Sequence, residues 1–265
     1  MKKKEIIDLG ITQFELFRLN YFAAVGSGEQ EAIHQMRVAL KKFYALKKYL
    51  LQGMKPMGAA VIKNDLEPLR MVYRAAGKVR DMQVARAEIV ATPDIPTPEV
   101  FCNYLQSKET GRFEKFLAIS NAVNLPTQRD ITQLLHEHVN RNSPRQQNHL
   151  EHLIGNHLNE ARFYLESTQP DELWHEARIL IKQNYLLMQL ALEHQPYRFS
   201  QDMIQEYRDM EQMLGKWHDY TVLKKYALRF ESTRALNINE YVHLIDQRIG
   251  NMVLTIREAI AGFIG

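Results

Sequence analysis

Along most of the chain, apolar residues recur at intervals of three and four. Glu, Lys, Gln, Leu and Met fill the positions between them, and Gly, Pro, Ser or Asn marks the breaks. No stretch alternates apolar and polar residues as a half-buried strand would, and Asn-Gly and Asp-Gly hairpin turns are absent. The pattern predicts an all-α chain, with helices near residues 6–25, 29–51, 56–76, 78–91, 98–119, 128–140, 145–167, 171–195, 200–215, 216–231 and 237–262. Thr92-Pro93-Asp94-Ile95-Pro96-Thr97-Pro98 is expected to be a loop, because three prolines remove backbone donors. Gly26-Ser27-Gly28 follows a helical pattern, lacks the third glycine of a dinucleotide fingerprint and reads as a helix–helix turn.

The helical pattern contains an internal repeat. Ile33-His34-Gln35-Met36-Arg37-Val38-Ala39-Leu40-Lys41 aligns with Trp174-His175-Glu176-Ala177-Arg178-Ile179-Leu180-Ile181-Lys182 at an offset of 141. Gly77-Lys78-Val79-Arg80-Asp81-Met82-Gln83-Val84 aligns with Gly215-Lys216-Trp217-His218-Asp219-Tyr220-Thr221-Val222 at an offset of 138, which sets Arg70 opposite Arg208. Two homologous helical halves are expected, 1–125 and 143–265, joined by 126–142.

At 100° per residue, Ile33, Met36, Leu40, Phe43 and Leu50 form one apolar stripe, and Trp174, Ala177, Ile181, Leu187 and Ala191 form its counterpart. His34, Arg37, Lys41 and Lys48 fall in a sector of about 60° beside the first stripe, and His175, Arg178 and Lys182 flank the second. Each half thus carries a rail of cations. Like charges one or two turns apart repel by a few tenths of a kcal/mol per pair, ~0.2–0.5, so a chain that keeps them twice is expected to meet a polyanion there. Arg and Lys suit phosphate oxygens, and a histidine adds a donor that titrates near neutrality. Arg70 and Arg74 lie one turn apart in the first half, whereas Gln212 replaces the second of them and Gln189 replaces Lys48, so the first half is expected to hold the stronger patch. Asp81 and Asp219 follow an expected Gly-Lys turn and are assigned a structural role, orienting an arginine or capping a helix.

Composition narrows the picture. The 265 residues are 45% hydrophobic, enough for a substantial core, and the single cysteine, Cys102, forms no internal disulfide, pointing to a reduced, cytoplasmic protein. No apolar run of about 18 residues appears, so no membrane partner is expected. The net charge of +3 is small, but Ala32 to Asn64 carries seven Lys or Arg and no acid, which again implies an anionic partner.

At these residues the chain resembles the CHAD family, the conserved-histidine α-helical domain, whose members carry two His-x-x-Arg-x-x-x-Lys/Arg helices, each followed by a Leu/Ala-Gly-x-x-Arg/Asn-Asp turn. The resemblance runs in order over essentially the whole chain. It implies two helical bundles related by a pseudo-twofold axis, with a basic groove or cavity between them that binds inorganic polyphosphate. It also implies association with polyphosphate granules and with polyphosphate-metabolising enzymes, including a CYTH-type protein, here on another chain. Carried over by position, the ligand-facing residues are His34, Arg37, Lys41, Lys42, His175, Arg178 and Lys182, with Arg70, Arg74, Lys78, Arg80, Arg208 and Lys216 as secondary candidates and Lys48 on the same rail. Gln183 stands where a second basic residue is usual, and His218 stands opposite Arg80.

Rival readings carry less. Nucleic acid shares the phosphate chemistry, but the rails hold few aromatics for base stacking and no recognition helix is visible. Glu31-x-x-His34 and Glu172-x-x-His175 have the spacing of di-metal carboxylate bundles, yet cations flank both histidines and the acids sit in first helical turns, where they complement the helix dipole. His34 and His175 could alternatively be core histidines bonded to carbonyls. His136, His138, His149, His152 and His157 are expected on exposed helix surface. No Walker motif, GxSxG elbow, HExxH or spaced nucleophile and base occurs, so neither catalysis nor a cofactor is expected.

Overall fold

The computed structural model describes residues 3–51, 66–141, 149–167, 170–193, 195–234 and 238–263. Among them are nine helices and no strand: α1 (Lys3–Ser27), α2 (Gln30–Leu51), α3 (Glu67–Ala91), α4 (Glu99–Ala122), α5 (Gln128–Arg141), α6 (His149–Leu165), α7 (Pro170–Leu192), α8 (Gln201–Arg234) and α9 (Asn239–Gly262). The chain is all-α. Each repeat stripe does what its spacing demands: Ile33, Met36 and Leu40 of α2, and Trp174, Ala177 and Ile181 of α7, retain no exposed surface. Burying each of the larger side chains contributes ~1.5–3 kcal/mol.

Two expected breaks do not occur. Residues 67–76 and 78–91 form one helix through Gly77, and 201–215 and 216–231 form one helix through Gly215. Glycine inside a helix costs only about 1 kcal/mol against alanine, which packing on both sides outweighs. Asp81 and Asp219 therefore lie inside helices and cap nothing. Residues 52–65, which include the first part of the expected 56–76 helix, and the expected break at Asn142-Ser143-Pro144 lie outside the described residues. The expected turn does form at Gly28, whose φ of +69° leads α1 into α2. A β-carbon there would also approach Phe113 to 2.9 Å, so glycine is required twice over.

Helices consecutive in sequence pack as pairs, α1 with α2, α3 with α4, α6 with α7 and α8 with α9, while α5 lies against α1. Across the chain, α2 meets α7 and α3 meets α8. The largest apolar cluster joins residues of both halves, including Phe14, Phe43 and Val72 with Trp174, Leu187 and Trp217. A second cluster sets Phe101 and Tyr104 of α4 against Phe230 of α8 and Tyr241 of α9, with ring centroids 5.1–5.5 Å apart. No helix among the described residues is long and apolar enough to cross a membrane.

The His-rich segment is not uniformly exposed. His136 and His152 are exposed and the ring of His149 lies 5.4 Å from that of Tyr49, but His157 is buried, its Nδ1 2.8 Å from Oδ1 of Asn184. The side chain of His138 lies outside the described residues. Asn184 has no exposed surface and donates through Nδ2 to the Ile154 carbonyl at 3.0 Å and to the Tyr207 hydroxyl at 3.3 Å, so the pair is a buried polar tie between α6, α7 and α8.

Candidate anion-binding cavity

The meeting of α2 with α7 and of α3 with α8 leaves a cavity of about 710 Å³ that is lined from all four helices. Its lining follows the repeat: His34 and His175, Arg37 and Arg178, Lys41 and Lys182, Arg80 and His218, Asp81 and Asp219, Val84 and Val222 all face it. The two rails thus share one space. Six basic side chains, Arg37, Lys41, Arg80, Arg178, Lys182 and Lys216, face three carboxylates, Asp81, Glu211 and Asp219. Each half supplies three of the basic side chains, but the second supplies two of the acids.

Several candidates stand elsewhere. Lys42, Lys48, Arg70, Arg74, Lys78 and Arg208 are not in the lining. Arg74, Lys78 and Arg208 are exposed, and Arg70 is paired at 3.3 Å with Glu67 one turn before it. Lys42 is absent from the lining, whereas Gln183, its counterpart in the repeat, lines the cavity. Lys48 reaches that same Gln183, donating to its Oε1 at 2.7 Å, and so comes to the cavity edge from the rail. The greater positive charge of the first half comes from Glu211 standing where Tyr73 stands, and not from Arg70 and Arg74.

The arginines are held differently. Arg37 lies against α3, donating through Nη1 to the Tyr73 carbonyl at 2.7 Å with its guanidinium 4.3 Å from the Tyr73 ring centroid. Gly77 makes this approach possible, since a β-carbon there would lie 2.6 Å from Arg37 Nη1. Nothing lies within 4 Å of the corresponding point on Gly215. Arg178 makes no such docking contact at Nε, which is buried and without a hydrogen-bond partner, as is the hydroxyl of Tyr44 in the same lining. A buried donor left unpaired costs about 1–3 kcal/mol, so both groups favour an incoming acceptor.

The lysines are crowded. Lys182 pairs with Glu211, and Lys216 pairs with Glu88, which sequence reasoning did not single out. Lys41 has no such pair among the described residues; burial, together with the charges of Lys182, Arg37 and Arg178, lowers its ammonium to about 7 against the weaker pull of Glu211. Burial and then Arg80 push His34 below its ordinary value, and burial with Arg178 pushes His218 down to about 3, its ring 5.0 Å from that of His175. Burial raises Asp219 to about 6 and raises Asp81 as well, with Arg178 and Arg37 respectively as the main opposing charges. The two acids thus act as local counter-charges to the two rail arginines. At neutral pH the arginines are the dependable cations, His218 is a neutral ring, and Lys41 stands ready to gain a proton.

Among the described residues, no group of three or more His, Cys, Asp and Glu side chains is placed to hold a metal ion. Glu31 is exposed and accepts from Gln35 at 2.6 Å, and the side chain of Glu172 lies outside the described residues.

The family model of the CHAD domain matches residues 12–227, a span that contains every residue of the cavity lining. The chain belongs to the CHAD family. Its fold is similar to the crystal structure of the CHAD domain from the plant Ricinus communis, with a TM-score of 0.69 at 15% identity over 98% of this chain and 91% of that one. No curated protein matches the chain. At that identity the CHAD likeness concerns the fold, and the cavity chemistry rests on the side chains described above.

Proposed function

We propose that this CHAD domain is a noncatalytic binder of inorganic polyphosphate, gripping phosphate oxygens inside the cavity between its two cationic rails. The observation that carries the reading is the convergence of both rails on one space, with the Arg178 Nε–H there unpartnered. Arginine presents forked donors to phosphate, lysine a point charge and neutral histidine a single N–H, so the lining suits a string of tetrahedral anions without any base recognition. Aromatic surface for stacking is scarce: Tyr44 and Tyr73 pack edge to face at 5.9 Å, and Arg37 covers Tyr73. We further expect association with polyphosphate granules and with polyphosphate-metabolising enzymes, a CYTH-type protein on another chain among them.

The test is a titration with long-chain polyphosphate and with single-stranded RNA of equal phosphate content at about 0.15 M salt, where exposed charges act over roughly 8 Å. Polyphosphate should bind far more tightly than RNA, and the affinity should fall steeply with salt as counterions are released. Lys41→Gln with Arg178→Gln should weaken polyphosphate binding by tenfold or more, on the order of 1.4 kcal/mol, while leaving helicity intact. Equal, weak binding of both polymers would sink the assignment.

A further inference from the structure

The cavity-facing stripe of α8 does not stop at the cavity. Gly215, His218, Asp219 and Val222 line it at helical spacing, and the same stripe continues to Lys225 and Arg229, both exposed, on one unbroken helix. At 1.5 Å per residue, Arg229 stands about 10 Å beyond Val222. Arg112 of α4 joins this stretch: its Nη1 donates to the Lys78 carbonyl at 3.0 Å and its guanidinium lies 5.1 Å from the Tyr226 ring centroid, so it is fixed in place. Asp81 in the cavity wall interacts electrostatically with Arg37 and Lys41 and also with Arg112 and Lys225, and Tyr226 does so with Arg112 and Arg229. These cations therefore continue the field of the cavity.

Neighbouring cations are already committed, Lys224 to Asp246 at 2.5 Å and Arg86 to Glu109 at 2.5 Å. Lys225 and Arg229 are in no ion pair among the described residues. The repeat does not supply them: the equivalent positions on α3 are Ala87 and Ala91. The extension exists on one side only.

We propose that Arg112, Lys225 and Arg229 form a one-sided exterior track along which a polyphosphate chain longer than the cavity continues out of it, making affinity depend on chain length. The track rests on the proposed function of the cavity and adds a polarity to it. A short anion occupies the cavity alone, whereas a long one also neutralises the track and releases further counterions.

The experiment compares inorganic tripolyphosphate with long-chain polyphosphate on the full chain, wild type against Lys225→Gln/Arg229→Gln and against Arg112→Gln. The double variant should weaken long-chain binding about tenfold and reduce the magnitude of its salt slope by about 0.7 per lost contact. Tripolyphosphate binding should stay unchanged, which also shows that the variant is folded. If the variants bind the long chain with wild-type affinity and salt slope, the track is overturned while the cavity reading stands. If both ligands weaken equally, the track residues act on the cavity itself and the extension is overturned. A wild-type chain that binds neither anion overturns both readings.

Discussion

A methyl group on Gly77 would sit 2.6 Å from Nη1 of Arg37, whereas one on Gly215 would meet nothing within 4 Å. The repeat makes these glycines equivalent, and the packing makes them different. Gly215→Ala should stabilise the protein by about 0.5–1 kcal/mol through helix propensity, read as a raised urea midpoint. Gly77→Ala gains the same propensity but displaces the Arg37 guanidinium from the Tyr73 carbonyl, so its midpoint should move little and polyphosphate affinity should fall. Equal gains in both variants, with binding untouched, would show that Arg37 needs no such seat.

Lys41 gives the residue scale its pH dependence. Its folded value of about 7 lies below the ordinary 10.5, so between these values the unfolded chain holds a proton that the folded one has released. Stability from this group is therefore lowest below about pH 7 and rises as pH climbs from there toward 10.5. Binding has the opposite sign, because a polyanion favours charged Lys41: affinity should fall as pH rises through 7, with net proton uptake on binding just above it. Calorimetric titration in two buffers of different ionisation enthalpy measures that uptake, and Lys41→Met should abolish it.

At the scale of elements, the helices were legible because their burial is periodic, and the buried stripes of α2 and α7 were legible residue by residue. The unbroken α3 and α8 were not. Glycine marks punctuation in a sequence read locally, and only the packed structure shows that Gly77 serves a close approach by a side chain 40 residues earlier. The rails were visible from spacing, but their counter-charges Glu211 and Glu88 were not, since nothing local ties 182 to 211 or 216 to 88. His157 escaped for the same reason: its partner Asn184 is on another helix. Asn184→Leu removes two donated bonds and deprives the buried His157 ring and the Tyr207 hydroxyl of their Asn184 partner in the core. It should cost about 2–4 kcal/mol in denaturant unfolding, and a loss under 0.5 kcal/mol would mean that water reaches the site.

At the scale of the molecule, the repeat suggests two halves, yet the apolar clusters do not respect the boundary. Phe101 and Tyr104 come from the first half, and the rings that cover them, Phe230 and Tyr241, come from the second. Leu9 and Leu46 likewise close on Leu190. Separating the halves would expose both faces, at ~1.5–3 kcal/mol for each large side chain returned to water, which exceeds what a domain of about half this size can spare. Fragments 1–141 and 143–265, the first keeping α5 on α1, should therefore lack cooperative urea unfolding and near-ultraviolet circular dichroism when alone, and should regain both on mixing. Polyphosphate binding should return with them, because Arg37 and Lys41 come from one fragment and Arg178 and Lys182 from the other. A fragment that unfolds cooperatively by itself would mean that each half owns a sufficient core, and that the cavity is an interface between autonomous domains instead of the centre of one.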